Sequence, residues 1–114
     1  MMFRRNKYGA KRTVVDGIAF MSKREAEYYQ KFKMLEGKGE IRKIELQPRF
    51  ELQPTFKKNG KTFRSIVYVA DFRITWKDGR VEIIDIKGHE TYHFLIKQKL
   101  FEYKYPLLTL TLLK

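Results

Sequence analysis

In the stretch VEIIDIKG (81–88), Val81, Ile83, Ile84 and Ile86 supply the β-branched bulk of a buried strand, yet an acid and a base stand inside it, Asp85 and Lys87. Side chains alternate along a strand, so Asp85 and Lys87 share one face and Ile84 and Ile86 the other. A second acid, Asp71, lies upstream in YVADF. Two carboxylates facing each other across a strand pair repel unless something sits between them. A divalent cation removes that repulsion, and hard oxygen donors suit Mg²⁺, with Mn²⁺ as a substitute.

Whether Asp71 meets Asp85 depends on the turn between their strands. A two-residue Asp78-Gly79 loop pairs Lys77 with Arg80 and sets Asp71 opposite Ile86, on the wrong face. A three-residue loop, Lys77-Asp78-Gly79 with Gly79 left-handed, pairs Trp76 with Arg80. Asp71 then falls opposite Asp85, and Phe72 opposite Ile84.

The elements that must position these groups follow from pattern and punctuation. TVVDGIAF (13–20) reads as a hairpin turning at Asp16-Gly17. A helix follows, with Ser22 as N-cap, Glu25 completing a capping box, and Gly37 or Gly39 as its end. Glu25 heads the apolar stripe Tyr28/Tyr29, Phe32 and Leu35. Residues 41–56 carry the near-repeat ELQPRF/ELQPTF and read as one extended strand bent at Pro48 and Pro54. Asn59-Gly60 turns into a long strand over 62–76. After VEIIDIKG come a second helix over 90–105, stopped by Pro106, and a closing strand over 107–113. The order α-β-β-β-α-β implies an α/β fold, one mixed sheet flanked by helices.

Length and composition fit one domain, 13–114, behind a basic flexible arm, 1–12. With no cysteine there is no disulfide, thiolate zinc site or catalytic thiol. No apolar run approaches the ~20 residues of a membrane span, and residues 1–12 lack the apolar region of a signal peptide. A cytoplasmic protein is expected, with no membrane partner. Twenty-five Lys and Arg against thirteen Asp and Glu give a net charge of +12, the footprint of a nucleic-acid binder. The candidate phosphate contacts are Arg4, Arg5, Lys7, Lys11 and Arg12; then Lys57, Lys58, Lys61 and Arg64; then Lys97, Lys99 and Lys104. Tyr8, Tyr92 and Phe94 are candidates for stacking on bases, with core packing as the alternative.

The set Asp71 ("AD", 70–71), Asp85 and Lys87 ("DIK", 85–87) resembles the signature of the PD-(D/E)XK nuclease superfamily. The element order resembles that superfamily's restriction-endonuclease-like core. Over roughly residues 6–106, NKYGAKRTVVDGIAFMSKREAEYY, ELQPRFEL, YVADF and DIKG look like a family of small phage endonucleases. That family is grouped with archaeal-type Holliday junction resolvases. Ala70 stands where the signature has proline, and Asp85 where Glu is commoner.

The resemblance implies a metal-dependent endonuclease, most of all a resolvase of four-way DNA junctions; the alternatives are a nuclease of the same superfamily with a nicking, flap or sequence-specific target, and a non-catalytic DNA-binding module of the same fold. It also implies a homodimer making paired cuts, and a host-cell cytoplasm if the chain is phage-encoded. Asp71 and Asp85 would hold the metal with the backbone carbonyl of Ile86. Lys87 would orient the attacking water, and the metal would activate it and neutralise phosphoryl charge. Glu25 matches the first-helix acid of such sites, as a catalytic group or a further ligand. Gln47 matches a Gln-Pro of the resembled family, as a supporting residue. The edge of 41–56, or a helix face with Phe94 and Phe101, is the expected dimer contact.

Overall fold

The computed structural model describes residues 12–114. The expected arm, with Arg4, Arg5, Lys7, Tyr8 and Lys11, therefore lies outside the described residues except for Arg12. At the first turn Asp16 has φ 53° and Gly17 φ 76°, as both central residues of a type I′ turn require. It joins β1 (Thr13–Val15) to β2 (Ile18–Phe20), with Val15 opposite Ile18.

Helix α1 (Lys23–Gly37) begins at Ser22, whose Oγ accepts the Glu25 N–H at 3.1 Å. It ends where Gly39 turns left-handed (φ 79°) and the Glu40 N–H donates to the Leu35 carbonyl at 2.9 Å. Ala26, Tyr29 and Phe32 are its buried face.

The two long strands expected over 41–56 and 62–76 are each broken into three. The first gives β3 (Ile41–Leu46), β4 (Arg49–Gln53) and β5 (Phe56–Lys58). The second gives β6 (Lys61–Phe63), β7 (Ile66–Val69) and β8 (Phe72–Trp76). One break lies level with the other. Gln47 adopts the left-handed φ of 48°, and its N–H donates to the Asp71 carbonyl at 3.0 Å. Ala70 N–H donates to the Pro48 carbonyl at 3.1 Å. Pro48 has no N–H to extend a ladder, so both strands leave the main sheet together. Outside it they pair again as a ribbon, β4 with β7 and then β5 with β6.

The main sheet has the order β10-β9-β8-β3, where β9 is Val81–Ile86 and β10 is Thr109–Leu113. β10 runs parallel to β9 and the other pairs are antiparallel. Helix α2 (Tyr92–Lys104), capped by Thr91, connects β9 to β10. The expected order survives as α1, β3, β8, β9, α2, β10, with the first hairpin and the ribbon added to it. The architecture is mixed α/β.

Two apolar clusters result. One unites α1 with the sheet through Tyr29, Phe32, Phe72, Ile74 and Ile84. The other unites α2, the ribbon and β9 through Phe50, Tyr68, Ile83, Phe94 and Phe101. Ile83 and Ile84 thus face opposite ways, as strand alternation requires.

Candidate active site

The loop between β8 and β9 is the three-residue one. Trp76 N–H donates to the Arg80 carbonyl at 2.9 Å, and Gly79 has φ 89°. Phe72 accordingly pairs with Ile84. Asp71 is the next residue outward, level with Asp85 but past the last ladder pair. There its side chain takes over from the backbone: Asp71 Oδ2 accepts the Ile86 N–H at 2.7 Å. In a strand a residue's N–H and C=O leave on the same side, so the Ile86 carbonyl also faces the Asp71 edge.

Asp85 is 2 % exposed, the one charged side chain in the core among the described residues. Its Oδ2 accepts the Tyr68 hydroxyl at 2.5 Å and lies 3.7 Å from Lys87 Nζ. Lys87 in turn rests over the Phe94 ring at 4.7 Å. Tyr68 is the site residue that the sequence reading missed. Its ring is held against Phe50, Phe94 and Phe101. A buried tyrosine needs a partner for its hydroxyl, which is the available signal, but nothing in IVYVADF says the partner lies on the next strand.

The electrostatics are those of crowded carboxyls. Burial, then the charge of Asp85, then that of Glu25 push the Asp71 carboxyl up to about 8, and a hydrogen bond with Asp85 adds to the rise. The Ile86 N–H works the other way. Glu25 is also raised, first by burial and then by Asp85, while the Met21 N–H and Lys87 oppose the shift. Its carboxylate therefore turns toward Met21 and the acids, and the cap at Ser22 rests on the Glu25 backbone. Burial and the charge of Asp85 keep the Tyr68 hydroxyl protonated, and so a donor.

A cleft of about 120 Å³ opens beside these groups. Glu25, Gln47 and Asp71 line it, with Ile18, Phe20, Leu46 and Phe72 as an apolar wall. Glu25, Gln47, Asp71, Asp85 and Lys87 thus come to one place from α1, the β3–β4 break, the β7–β8 break and β9.

A family model described as "Protein of unknown function (DUF1064)" matches residues 5–114. The chain belongs to the DUF1064 family. No curated protein and no solved structure matches it. All five site residues of this DUF1064 chain fall inside the matched span.

Among the described residues no three Asp, Glu, His or Cys side chains converge as a ready-made metal cage. The residues that could hold a divalent cation are instead the Asp71–Asp85 pair, two close acids whose mutual repulsion when both ionise Lys87 offsets from the Asp85 side and a cation would offset further.

The basic groups divide. Lys57, Lys58 and Lys61 stand on the exposed outer end of the ribbon. Lys97 and Lys99 do not form one patch, because two residues along a helix are about 200° apart. Lys99 is exposed, whereas Lys97 is half-buried. Phe94 and Phe101 are buried at 5 % and 0 %, so neither stacks on bases nor forms a dimer face. The exposed apolar residues of α2 are Tyr92, Leu95, Ile96, Leu100 and Tyr103. No helix among the described residues is long and apolar enough to cross a membrane.

Proposed function

We propose that this chain is a metal-dependent DNA endonuclease with a restriction-endonuclease-like core, and that its substrate is a four-way junction. One observation carries the reading: the Asp71 and Asp85 carboxyls crowd each other beside an open cleft, with Asp71 Oδ2 on the Ile86 N–H, Lys87 against Asp85, and Glu25 lining the cleft with Asp71. Close carboxyls with perturbed ionisation in a cleft are an arrangement that catalysis uses and that stability alone disfavours. In a chain of this size a charge of +12 points that cleft at a polyanion.

Asp71 and Asp85 would hold Mg²⁺ or Mn²⁺ together with the Ile86 carbonyl, and Glu25 is placed to join them. The bound ion would supply an activated water and offset phosphoryl charge. Lys87 orients that water and steadies negative charge on the phosphate. Tyr68 fixes Asp85 by donating to Oδ2, which would hold the carboxylate in place as a ligand. Gln47 faces the cleft from a backbone conformation that few non-glycine residues adopt, a form of strain found at functional sites. In the reaction the water oxygen would bond to phosphorus as the water gives up a proton to solvent, and the phosphorus–oxygen bond to one sugar would break as that sugar oxygen takes up a proton, leaving a phosphate monoester on one end and a free hydroxyl on the other. Two opposed nicks require two sites, which a two-fold homodimer provides. Among the described residues, the exposed apolar face of α2 and the outer edge of β3 are the surfaces proposed for that contact. A cytoplasmic setting, that of a host cell for a phage-encoded chain, suits this activity.

The test is a panel of matched four-way, three-way, flap, duplex and single-stranded DNAs incubated with Mg²⁺, with the cuts mapped. Paired cuts near the crossover are expected, and Asp85→Ala and Lys87→Ala should abolish them without loss of folding. Absence of metal-dependent cleavage on every substrate, or normal turnover by Asp85→Ala, would overturn the assignment.

A further inference from the structure

The ribbon does more than connect β3 to β8. Its inner half, β4 with β7, packs on α2 through Phe50 and Tyr68. Its outer part, residues 53–64, is exposed at every position. This tip is held by its own contacts. Asn59 (φ 52°) and Gly60 (φ 72°) make a two-residue turn, and Phe56 pairs with Phe63, Lys57 with Thr62 and Lys58 with Lys61. The Phe56 and Phe63 rings stack at 4.9 Å and 10°. Thr55 Oγ1 accepts the Ser65 N–H at 3.0 Å, bridging the gap between the two halves.

The tip carries Lys57, Lys58, Lys61 and Arg64 and no acid between 52 and 70. Among the described residues none of the four has a carboxylate within ion-pair distance. Lys58 and Lys61 face each other directly, an arrangement that destabilises a strand pair. A stable fold gains nothing from a projecting, self-repelling hairpin. A polyanion would remove the repulsion.

We infer that the tip is a β-ribbon that enters the major groove of B-form duplex DNA, on the arm flanking the cut. The inference rests on the nuclease reading for the position of the cut, and on the tip alone for the binding. Shape selects the partner. A two-stranded ribbon fits the ~12 Å major groove of B-DNA, and the deep, narrow major groove of an A-form duplex excludes it. Lys57, Lys58 and Lys61 contact phosphates on the groove's rims. The stacked Phe56 and Phe63 share a face with Lys58 and Lys61, and Lys61 Nζ lies 5.1 Å from the Phe63 ring centroid, so that face offers ring surface to sugars and thymine methyls with cations beside it. Asp71 roots the ribbon, and Lys61 lies ten residues up an antiparallel strand, so the contact falls up to ~34 Å from the cleft. That is about one turn of duplex.

The experiment uses the full chain in EDTA, where nothing is cut, with a fluorescent B-form DNA duplex and an RNA duplex of the same sequence. The variant is Lys57→Gln/Lys58→Gln/Lys61→Gln, its folding checked by circular dichroism. DNA affinity should fall about 10- to 100-fold at 0.15 M salt. The slope of log K against log salt should flatten by about 2.7, at about 0.9 for each phosphate that the variant no longer neutralises. The RNA duplex should bind more weakly and respond less. On a four-way junction bound in the absence of Mg²⁺, hydroxyl-radical protection about 8–10 base pairs from the cut position mapped with Mg²⁺ should vanish in the variant. An unchanged slope, or equal losses on DNA and RNA, would overturn the inference. The two readings fail separately. Binding that depends on the tip in a protein that cuts no DNA leaves the ribbon standing and removes the nuclease. Cleavage with an unaltered footprint in the variant does the reverse.

Discussion

Asp71→Asn should make the metal-free protein more stable at neutral and alkaline pH, although it removes a site residue. The carboxyl is raised from 3.8 to about 8, so the native state binds its proton more tightly than the unfolded chain does. The sign follows: this group's contribution is fully favourable below pH 3.8 and is lost as pH climbs toward 8. At about 1.4 kcal/mol per pH unit the whole span would amount to about 6 kcal/mol. Asp71 keeps some exposed surface, so about half of that is a realistic share. Asn retains an oxygen for the Ile86 N–H but loses the charge assistance, at a cost of about 1 kcal/mol. A net gain of about 2 kcal/mol at pH 8 remains, worth roughly 10 °C in melting temperature for a domain of this size. Thermal unfolding in EDTA at pH 5 and pH 8 would measure it. The gain should shrink toward pH 5, and Mg²⁺ should narrow it at pH 8 by stabilising only the wild type. A less stable Asp71→Asn at pH 8, or a gain independent of pH, would refute the crowding argument.

Mg²⁺ affinity should strengthen up to tenfold per pH unit below about 8, as Asp71 loses the proton that the cation must displace; isothermal titration across pH 6–9 checks this. Glu25→Gln should leave stability unchanged or slightly higher, because the Ser22 cap uses the residue 25 N–H, while cleavage falls at least tenfold; equal rates would reduce Glu25 to a structural residue. Tyr68→Phe should cost about 1–3 kcal/mol in urea unfolding, since it strips a donor from the buried Asp85 carboxyl. Gln47→Gly should be stability-neutral or gain about 1 kcal/mol by relieving the left-handed backbone, yet slow cleavage; a stability loss would show that the side chain holds the fold rather than serves the cleft.

Local turn chemistry made much of the site readable in advance. Asp16-Gly17 and Asn59-Gly60 each carry their own backbone requirement, whereas the sequence allowed two loops around Asp78-Gly79, and the three-residue one seen in the structure sets the register that brings Asp71 level with Asp85. Ser22 marks its helix start for the same reason, whereas the Thr91 cap that starts α2 at Tyr92 was not picked out within the expected 90–105 helix. The breaks at Gln47-Pro48 and Ala70-Asp71 were not readable as a pair. Each run keeps its apolar alternation across the break, so periodicity sees one strand. Only the hydrogen bonds that join the breaks, Gln47 N–H to Asp71 and Ala70 N–H to Pro48, determine where both chains leave the sheet. The tie from Tyr68 to Asp85 spans 17 residues and two strands, and was hidden for the same reason.

The ribbon's construction separates length from chemistry. Its root is pinned beside Asp71, whereas its tip ends in a free two-residue turn held by pairs of its own making. Adding one residue to each strand at Asn59-Gly60 would lengthen it by ~3.4 Å and exchange its two faces. Adding two to each would restore the faces and extend it by ~7 Å. The core would be untouched, and the entropy of the longer excursion would rise only logarithmically. The hairpin is in this sense a ruler with ~7 Å graduations, whose measured interval can change among related chains without moving an atom of the carboxyl pair.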